Sequence, residues 1–177
     1  MHGGNLALAF LLHRSDVETP EGWTLLHKTS GIHEGTEAYI QHVSVYYKMV
    51  EDAAVNVTFS QTDANRMYLN LLSFIGAGTP YLAIDDYQTN ESVVEVSKNT
   101  NDLAVWMLCR LLWVNNGSIW NVSAITADHV VQKAENNNAR LLSIVDDTDG
   151  RTLSATPSSP TAETSEVLLV GIPANDL

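Results

Sequence analysis

The sequence predicts an all-β protein, an antiparallel β-sandwich of jelly-roll type with about 8–10 strands and room for one short helix. Three observations favour it. Apolar and polar residues alternate over short stretches, other short runs are apolar on both faces, and clusters of turn-forming residues separate them at intervals of roughly eight to fifteen residues. A chain of 177 residues suits one domain, so we expect residues 1–177 to form a single β-sandwich.

Alternation with period two is clearest in residues 42–49 and 55–59. In the first stretch four apolar side chains share one face of the predicted strand: Val43, Val45, Tyr47 and Met49. Successive side chains of a strand point to opposite faces, so the pattern predicts one buried face and one wetter face. Residues 50–54 carry an acidic pair and would form the hairpin connection between the two strands.

Several runs are apolar on both faces, which is typical of strands in the middle of a sheet. They are residues 6–12, 68–75, 103–114, 140–145 and 166–172. Residues 101–114 are also compatible with a buried helix, but the strand-like surroundings favour a strand. Residues 126–136 have room for one helical turn. The turn Pro20-Glu21-Gly22 precedes Trp23, which we expect to anchor the core.

The charge balance argues against nucleic acid as a partner. The chain holds 9 Lys and Arg against 21 Asp and Glu, a formal net charge of −12, which repels both nucleic acid and anionic lipid. Residues 6–12 have no basic residue before them and no cleavage site of small residues after them, and they are too short to span a bilayer. We therefore expect no signal peptide and no membrane insertion.

The residues that could carry chemistry form no convincing site. The single cysteine, Cys109, lies in an apolar stretch and is interpreted as a buried, inert thiol. The glycines at positions 76 and 78 lack the third glycine and the lysine of a phosphate-binding loop. His27 and His33 flank a loop that could in principle hold a metal, but solvated loop residues are the favoured interpretation.

The aspartates of residues 146–149 superficially resemble a calcium loop, but the required glutamate is missing at the right distance, so a polar turn is favoured. We therefore predict no catalytic residue, no metal site and no cofactor. Among the tryptophans, Trp120 and Trp113 beside Asn-rich loops are candidates for a glycan-binding platform.

Several motifs in order resemble a known family. They are Gly4-Asn5-Leu6-Ala7-Leu8-Ala9-Phe10 with His13-Arg14, Pro20-Glu21-Gly22-Trp23-Thr24-Leu25, Val45-Tyr46-Tyr47-Lys48, Val57-Thr58-Phe59-Ser60 and Phe74-Ile75-Gly76-Ala77. This order resembles a β-sandwich module of virion structural proteins of tailed bacteriophages, found in tail, fibre or capsid-decorating components. The likeness covers about the first 80 residues and the run at 166–172, whereas residues 80–138 match poorly.

The resemblance implies a structural protein of a virion rather than an enzyme. Its partners would be copies of itself, as a trimer or another homo-oligomer, and a major capsid or tail protein, and its location would be the virion after synthesis in the host cytoplasm. In that family a further strand precedes the Gly-Asn-Leu-Ala-Leu segment. The resemblance therefore implies a missing edge strand, or one supplied by a neighbouring subunit, and an assembly edge at Leu6, Leu8, Phe10 and Leu12.

Two other functions stay open at this point. A carbohydrate-binding module of the sandwich type would use Trp120 and Trp113 and would take a host-surface glycan as its ligand. A jelly-roll glycan hydrolase, which is less favoured, would need carboxylates or histidines clustered on one face of the fold.

Overall fold

The computed structural model describes residues 4–29, 42–51, 56–63, 67–89, 94–97, 102–110, 120–123, 129–135, 138–146, 152–157 and 164–174. In these ranges the chain forms fourteen strands and no helix, and every pairing with an assigned register is antiparallel. The predicted all-β, antiparallel class is confirmed. The strands outnumber the expected ones because two of them are only two residues long and the middle of the chain is divided into more short strands than its turn signals indicated.

The strands, in chain order, are β1 (Asn5–His13), β2 (Val17–Glu18), β3 (Thr24–Lys28), β4 (His42–Val50), β5 (Ser60–Gln61), β6 (Tyr68–Ile75), β7 (Tyr81–Thr89), β8 (Val94–Ser97), β9 (Leu103–Arg110), β10 (Trp120–Ser123), β11 (His129–Glu135), β12 (Asn138–Asp146), β13 (Thr152–Pro157) and β14 (Thr164–Ile172).

The chain divides into two compact units, residues 1–81 with 172–177 and residues 82–171. The first unit holds a four-stranded sheet of order β3-β4-β1-β6 and a two-stranded ribbon, β2-β5. The strands of the second unit form a five-stranded sheet of order β11-β12-β9-β14-β7 and a three-stranded sheet of order β10-β13-β8. The expectation of a single domain stays a prediction.

β1 is a central strand of the first unit. It pairs with β4 along its whole length, from Asn5↔Val50 to His13↔His42, and with β6 from Asn5↔Ile75 to Leu12↔Tyr68. The predicted assembly edge is therefore wrong, because both edges of this strand are hydrogen-bonded within the chain. The four residues assigned to that edge are fully buried: Leu6, Leu8, Phe10 and Leu12. A strand that is apolar on both faces is typical of such a central position.

Residues 42–50 form a strand, β4, as the alternation predicted. The prediction that one of its faces is exposed to water is wrong at Ser44 and Tyr46. Ser44 and Tyr46, which were expected on that face, are as buried as Val43 and Val45. Tyr46 packs in a cluster with residues of β1 and with Phe59. The exposed face that the alternation predicted is thus covered by another segment of the chain.

Residues 56–59 form no strand, so the predicted hairpin between residues 42–49 and 55–59 is wrong. β4 already has β1 on one edge and β3 on the other, which leaves no edge for a further partner. Val57 and Phe59 instead pack against the buried cluster on the sheet, and the chain continues into β5, which pairs with β2. The alternation of residues 56–59 thus arises because every second side chain packs on the face of the sheet, not because the segment is a strand.

The remaining strand predictions are confirmed in the described residues, with one change of position. β9 and β11 are strands, so the helical alternatives for residues 103–110 and 129–135 are wrong. β12 and β14 occupy the predicted runs at 140–145 and 166–172. β6 is a strand as predicted, but it lies at the end of the four-stranded sheet instead of in its middle.

The turn before β3 explains how Trp23 enters the core. The Trp23 amide donates to the Pro20 carbonyl at 3.0 Å, and Gly22 has a φ of 74°, as the third residue of a type II turn requires. Trp23 is buried and packs edge-to-face against Phe59, with ring centroids 5.8 Å apart. The expected role of Trp23 as a core anchor is confirmed.

Candidate functional site

One face of the four-stranded sheet, here called the covered face, presents small side chains under large ones. Ala7, Ala9 and Leu11 of β1 lie on it with Tyr46 of β4. Above them pack apolar side chains from the segments that run over this face: Val17, Trp23, Val57, Phe59 and Met67. The alanines leave room for the aromatic rings, so the cover sits close to the sheet. Both candidate sites described below lie on this face, one at its end and one at its rim.

The first candidate, the histidine cluster, occupies the end of the covered face where β1 stops and β4 starts. His13 and His42 are opposite each other in the β1–β4 pairing, and their rings stack with centroids 5.8 Å apart and an interplanar angle of 28°. Ser44, two residues along β4, shares this face because side chains alternate along a strand. The cluster also includes Ser15 and Thr29 from the adjoining turns.

His13 connects two segments through both ring nitrogens. Its Nδ1 lies 2.8 Å from the Ser15 carbonyl oxygen, which can only accept, so Nδ1 carries the hydrogen. In the neutral ring Nε2 is then an acceptor, and the Ser44 hydroxyl donates to it at 2.8 Å. His13 is 1 % exposed and Ser44 is 0 % exposed, so both hydrogen bonds lie out of contact with water.

His42 and Thr29 tie the end of β3 to the start of β4. The His42 Nδ1–H donates to the Thr29 carbonyl at 3.0 Å. The Val43 amide donates to Thr29 Oγ1 at 3.0 Å, and the Thr29 amide donates to the Val43 carbonyl at 2.9 Å. Thr29 thus satisfies backbone groups at the point where residues 30–41 separate the two strands in sequence.

The β2-β5 ribbon, here residues 15–18 and 60–63, is attached to the same cluster. Ser15 Oγ donates to Asp63 Oδ2 at 3.0 Å, and the Thr62 amide donates to the Asp16 carbonyl at 3.2 Å. The Lys28 Nζ donates to Asp16 Oδ1 at 3.0 Å on the exposed side. Ser15 therefore joins the ribbon to His13, because its carbonyl accepts from the His13 ring and its hydroxyl donates to Asp63.

The surroundings of His13 disfavour its charged form. Burial lowers its pKa from the ordinary value of 6.5, and the nearby positive charges of His42 and Lys28 act in the same direction. The hydrogen bond to the Ser15 carbonyl and the charge of Asp16 oppose them. The hydrogen bond from Lys28, together with its positive charge, lowers the pKa of Asp16, which is fully exposed.

The Ser44–His13 pair has the distance of a nucleophile and its general base, with a third group orienting the imidazole. A substrate atom cannot reach Ser44 Oγ, however, while the residue has no exposed surface. The cluster is suited to holding segments together and to responding to protonation. Sequence reasoning missed it because His42 and Ser44 were assigned to a wetter face, and the burial of His13 depends on residues far along the chain.

The second candidate is the outer edge of β6, at the rim of the covered face. Leu71 lies opposite Ala9, and Ile75 lies opposite Asn5, yet Leu71 is 42 % exposed and Ile75 is 89 % exposed. Ser73, between them on the same face, is exposed as well. Residues 67–84 contain no charged side chain, in a chain of net charge −12. An apolar, uncharged edge strand is a natural contact surface for another chain.

The other predicted site residues fall in different places. Trp120 begins β10, where its backbone is opposite Pro157, and Trp113 lies outside the described residues. His27 is on β3, whereas His33 and the aspartates at 147 and 149 lie outside the described residues. Cys109 is in β9 opposite Leu141. The glycan-platform hypothesis stays a prediction.

The described part of the chain shows neither a cluster of metal ligands nor a membrane-spanning helix. No group of three or more His, Cys, Asp or Glu side chains there is arranged to hold a metal ion. No helix in the same residues is long and apolar enough to cross a membrane.

Comparison with known proteins adds no relative. No protein-family model, no curated protein and no solved structure matches the chain. The likeness to virion modules of tailed phages therefore rests on the ordered sequence motifs alone, and it enters the functional argument as a hypothesis.

Proposed function

We propose that the protein is a virion structural protein of a tailed phage, a capsid-decorating or a tail or fibre module, which acts through assembly contacts. The observation that supports an assembly role is the apolar, uncharged outer edge of β6. The partner at this edge is a second copy of the chain. The assignment to a phage virion comes from the motif resemblance, while the contact surface comes from the geometry of the first unit.

The two edges of the four-stranded sheet differ in how they are protected. β3, at one edge, carries Lys28, and its pairing with β4 shifts register between Leu25 and His27, as at a β-bulge. Lysines and bulges are the usual devices that keep an edge strand from pairing with another chain. β6, at the other edge, has neither a charged residue nor a register shift in its pairing with β1. Among the described strands of this sheet, the contrast favours β6 as the edge that takes part in assembly.

A second copy fits the β6 edge because the strand is complementary to itself. In an antiparallel pair centred on Ser73, Leu71 of each copy lies opposite Ile75 of the other, so the two exposed apolar residues cover each other twice. Leu72 then faces Phe74 on the opposite side of the pair. Two chains of net charge −12 repel each other over most of their surfaces, but residues 67–84 bring no like charges together.

The size of the contact predicts its strength. A strand of 8 residues is about 27 Å long at roughly 3.4 Å per residue. One such pairing buries less than the ~800 Å² per partner of a standard stable interface. A single pair is therefore weak, and the contact becomes effective where many copies are held side by side, as in a lattice. Such a passive, multivalent role agrees with a structural protein.

The first test introduces charge at the proposed contact. Replacing Leu71 and Ile75 together by lysine places like charges opposite each other and should abolish self-association, measured by light scattering or sedimentation over a wide concentration range. The matched control is Leu25→Lys on β3, where a residue of similar exposure, 43 %, lies at the other edge of the same sheet. A wild-type protein that stays monomeric at high concentration and binds neither capsids nor tails would contradict the proposal.

A second test examines the register. In a Cys109→Ser background, Ser73→Cys should form a disulfide-linked dimer under mild oxidation, because the two Ser73 residues meet at the centre of the pair. Thr24→Cys, an exposed position on β3, is the control and should stay monomeric. If the lysine variant loses assembly but Ser73→Cys does not cross-link, the assembly function stands and the proposed register is wrong.

A further inference from the structure

We infer that His13 is an acid-sensitive latch, which in its neutral form holds the β2-β5 ribbon on the four-stranded sheet and on protonation releases it. The inference does not depend on the assembly role of β6, since the latch lies at the end of β1 and involves other residues. It rests on the position of the imidazole between two buried hydrogen-bond partners and on the attachment of the ribbon to one of them.

Protonation changes what the buried partners of His13 can do. The charged ring has a hydrogen on Nε2, so Ser44 must accept instead of donate, and its own hydroxyl hydrogen needs a new acceptor at a site with no exposed surface. A buried polar hydrogen without an acceptor is costly, and so is a buried charge without a counter-charge. The cheapest remedy is to bring water to the ring.

Opening of the turn that follows β1 brings water to His13. Ser15 closes over the ring through its carbonyl and is itself nearly buried. It is also bonded to Asp63, while the Asp16 carbonyl accepts from Thr62. Residues 60–63 must therefore move when the turn moves. The ribbon opens as one piece, whereas β1 and β4 keep the backbone pairing that joins them.

Among the described residues, the charged groups around the ring compensate only in part for its protonation, since the charge of Asp16 favours the charged ring while His42 and Lys28 oppose it. Asp16, on the ribbon, is exposed and already paired with Lys28 of β3. Asp63, at the end of the ribbon, is exposed and accepts from Ser15 rather than from the ring. His42 of β4 stacks on His13 and repels it when both are charged. From these elements the ring thus gains no buried carboxylate.

The sign of the pH effect follows from the direction of the pKa shift. The pKa of His13 is lowered in the folded protein from its ordinary value of 6.5, mainly by burial. The unfolded or opened form therefore binds a proton first, and the latch is at full strength above pH 6.5. It weakens as the pH falls below that value, until the folded pKa is passed. Each unit of depression corresponds to about a tenfold shift of the opening equilibrium.

The test measures hydrogen-exchange protection and the titration of His13 in the full chain. Protection factors in residues 15–18 and 60–63 should fall as the pH is lowered from 7.5 to 5, by about tenfold for each unit by which the His13 pKa lies below 6.5 in the folded protein. Amides in the middle of β1 and β4 should keep theirs. The midpoint of this change should coincide with the His13 midpoint observed by NMR. Protection in the ribbon that does not vary with pH, or that varies with a different midpoint, would overturn the inference.

Two variants separate the latch from general acid sensitivity. His13→Asn keeps a donor for the Ser15 carbonyl but cannot titrate, so the pH dependence of the ribbon should disappear. His27→Gln removes a histidine from the opposite face of the same sheet and should leave that dependence unchanged. A ribbon that still opens in acid in the asparagine variant would show that another group is responsible. If that variant does not fold, the wild-type comparison of midpoints decides.

Discussion

β1 and β6 are neighbouring strands of similar composition, but they differ in how far their side chains are buried. Both are apolar runs without a charged residue, and they pair with each other from Asn5↔Ile75 to Leu12↔Tyr68. Residues 6–13 of β1 are buried, whereas in β6 only Asn70 is buried and the other residues are partly buried or exposed, with Ile75 almost fully exposed. Apolar character on both faces is therefore compatible with either a central or an edge strand.

The difference arises from what lies on either side of each strand. β1 has β4 and β6 as its neighbours, and aromatic rings of the cover lie over its alanines. β6 has β1 on one side, and no described strand lies on the other. In the row Leu25, Tyr46, Ala9 and Leu71 across the sheet, the middle pair is buried and the outer pair is exposed. Position in the sheet decides exposure there more than residue type.

The largest expected contrast is between truncations in the two strands. Phe10→Ala should lower the free energy of unfolding by about 3–5 kcal/mol, because it opens a cavity around a fully buried residue. Ile75→Ala removes an exposed side chain and should change it by less than about 0.5 kcal/mol. Urea unfolding of both variants would measure the difference. Equal losses would mean that Ile75 is covered in solution, which self-association at β6 would explain if the loss grew with protein concentration.

A smaller contrast is expected from added volume. Ala9→Leu places a larger side chain among Trp23, Tyr46 and Leu11 on the covered face and should cost about 1–3 kcal/mol through overpacking. Ser73→Leu adds similar volume at an exposed position of β6 and should change stability by less than about 0.5 kcal/mol at low protein concentration. Thermal unfolding of the two variants checks this. A neutral Ala9→Leu would indicate a looser cover than the packing implies.

The smallest contrast concerns the glycines beside β3 and β6. Gly22 has a φ of 74° and Gly76 a φ of 70°, so alanine at either position should cost about 1–2 kcal/mol in backbone strain. A Cβ at Gly22 would also lie 3.1 Å from the flexible Lys48 Nζ, whereas at Gly76 it would meet open space. We expect nearly equal losses in calorimetry, because the lysine end can move. A markedly larger loss at Gly22 would show that Lys48 is held in place.

The local pattern of apolar and polar residues correctly predicted where most of the main strands lie. The runs at 6–12, 68–75, 140–145 and 166–172 are strands, and the Pro20-Glu21-Gly22 turn brings Trp23 into the core as expected. The pattern failed at residues 56–59, whose alternation indicated a strand. A segment packed across a sheet face also buries every second side chain, so period two alone cannot distinguish the two cases.

The candidate sites were less predictable than the strands. The histidine cluster joins residues of β1 and β4 with Thr29, which follows β3, and through Ser15 it reaches Asp63 of the ribbon, 50 positions from His13. No local motif marks such a set, and His42 and Ser44 in isolation resemble solvent-facing residues. The edge position of β6 was also hidden, because pairing partners, not residue types, determine which strand ends a sheet.

By itself the sequence determined the all-β class, the main strands, the strong acidity of the chain and the absence of charge along residues 67–84. Those properties depend on local periodicity and composition, which residues close together in the sequence define. Only the tertiary structure decided that β1 is central and β6 outermost, that Ser44 and Tyr46 are covered, and that His13 is closed in by Ser15. These features depend on contacts between segments distant in sequence, and such contacts decide which apolar strand is buried and which is exposed at the end of the sheet.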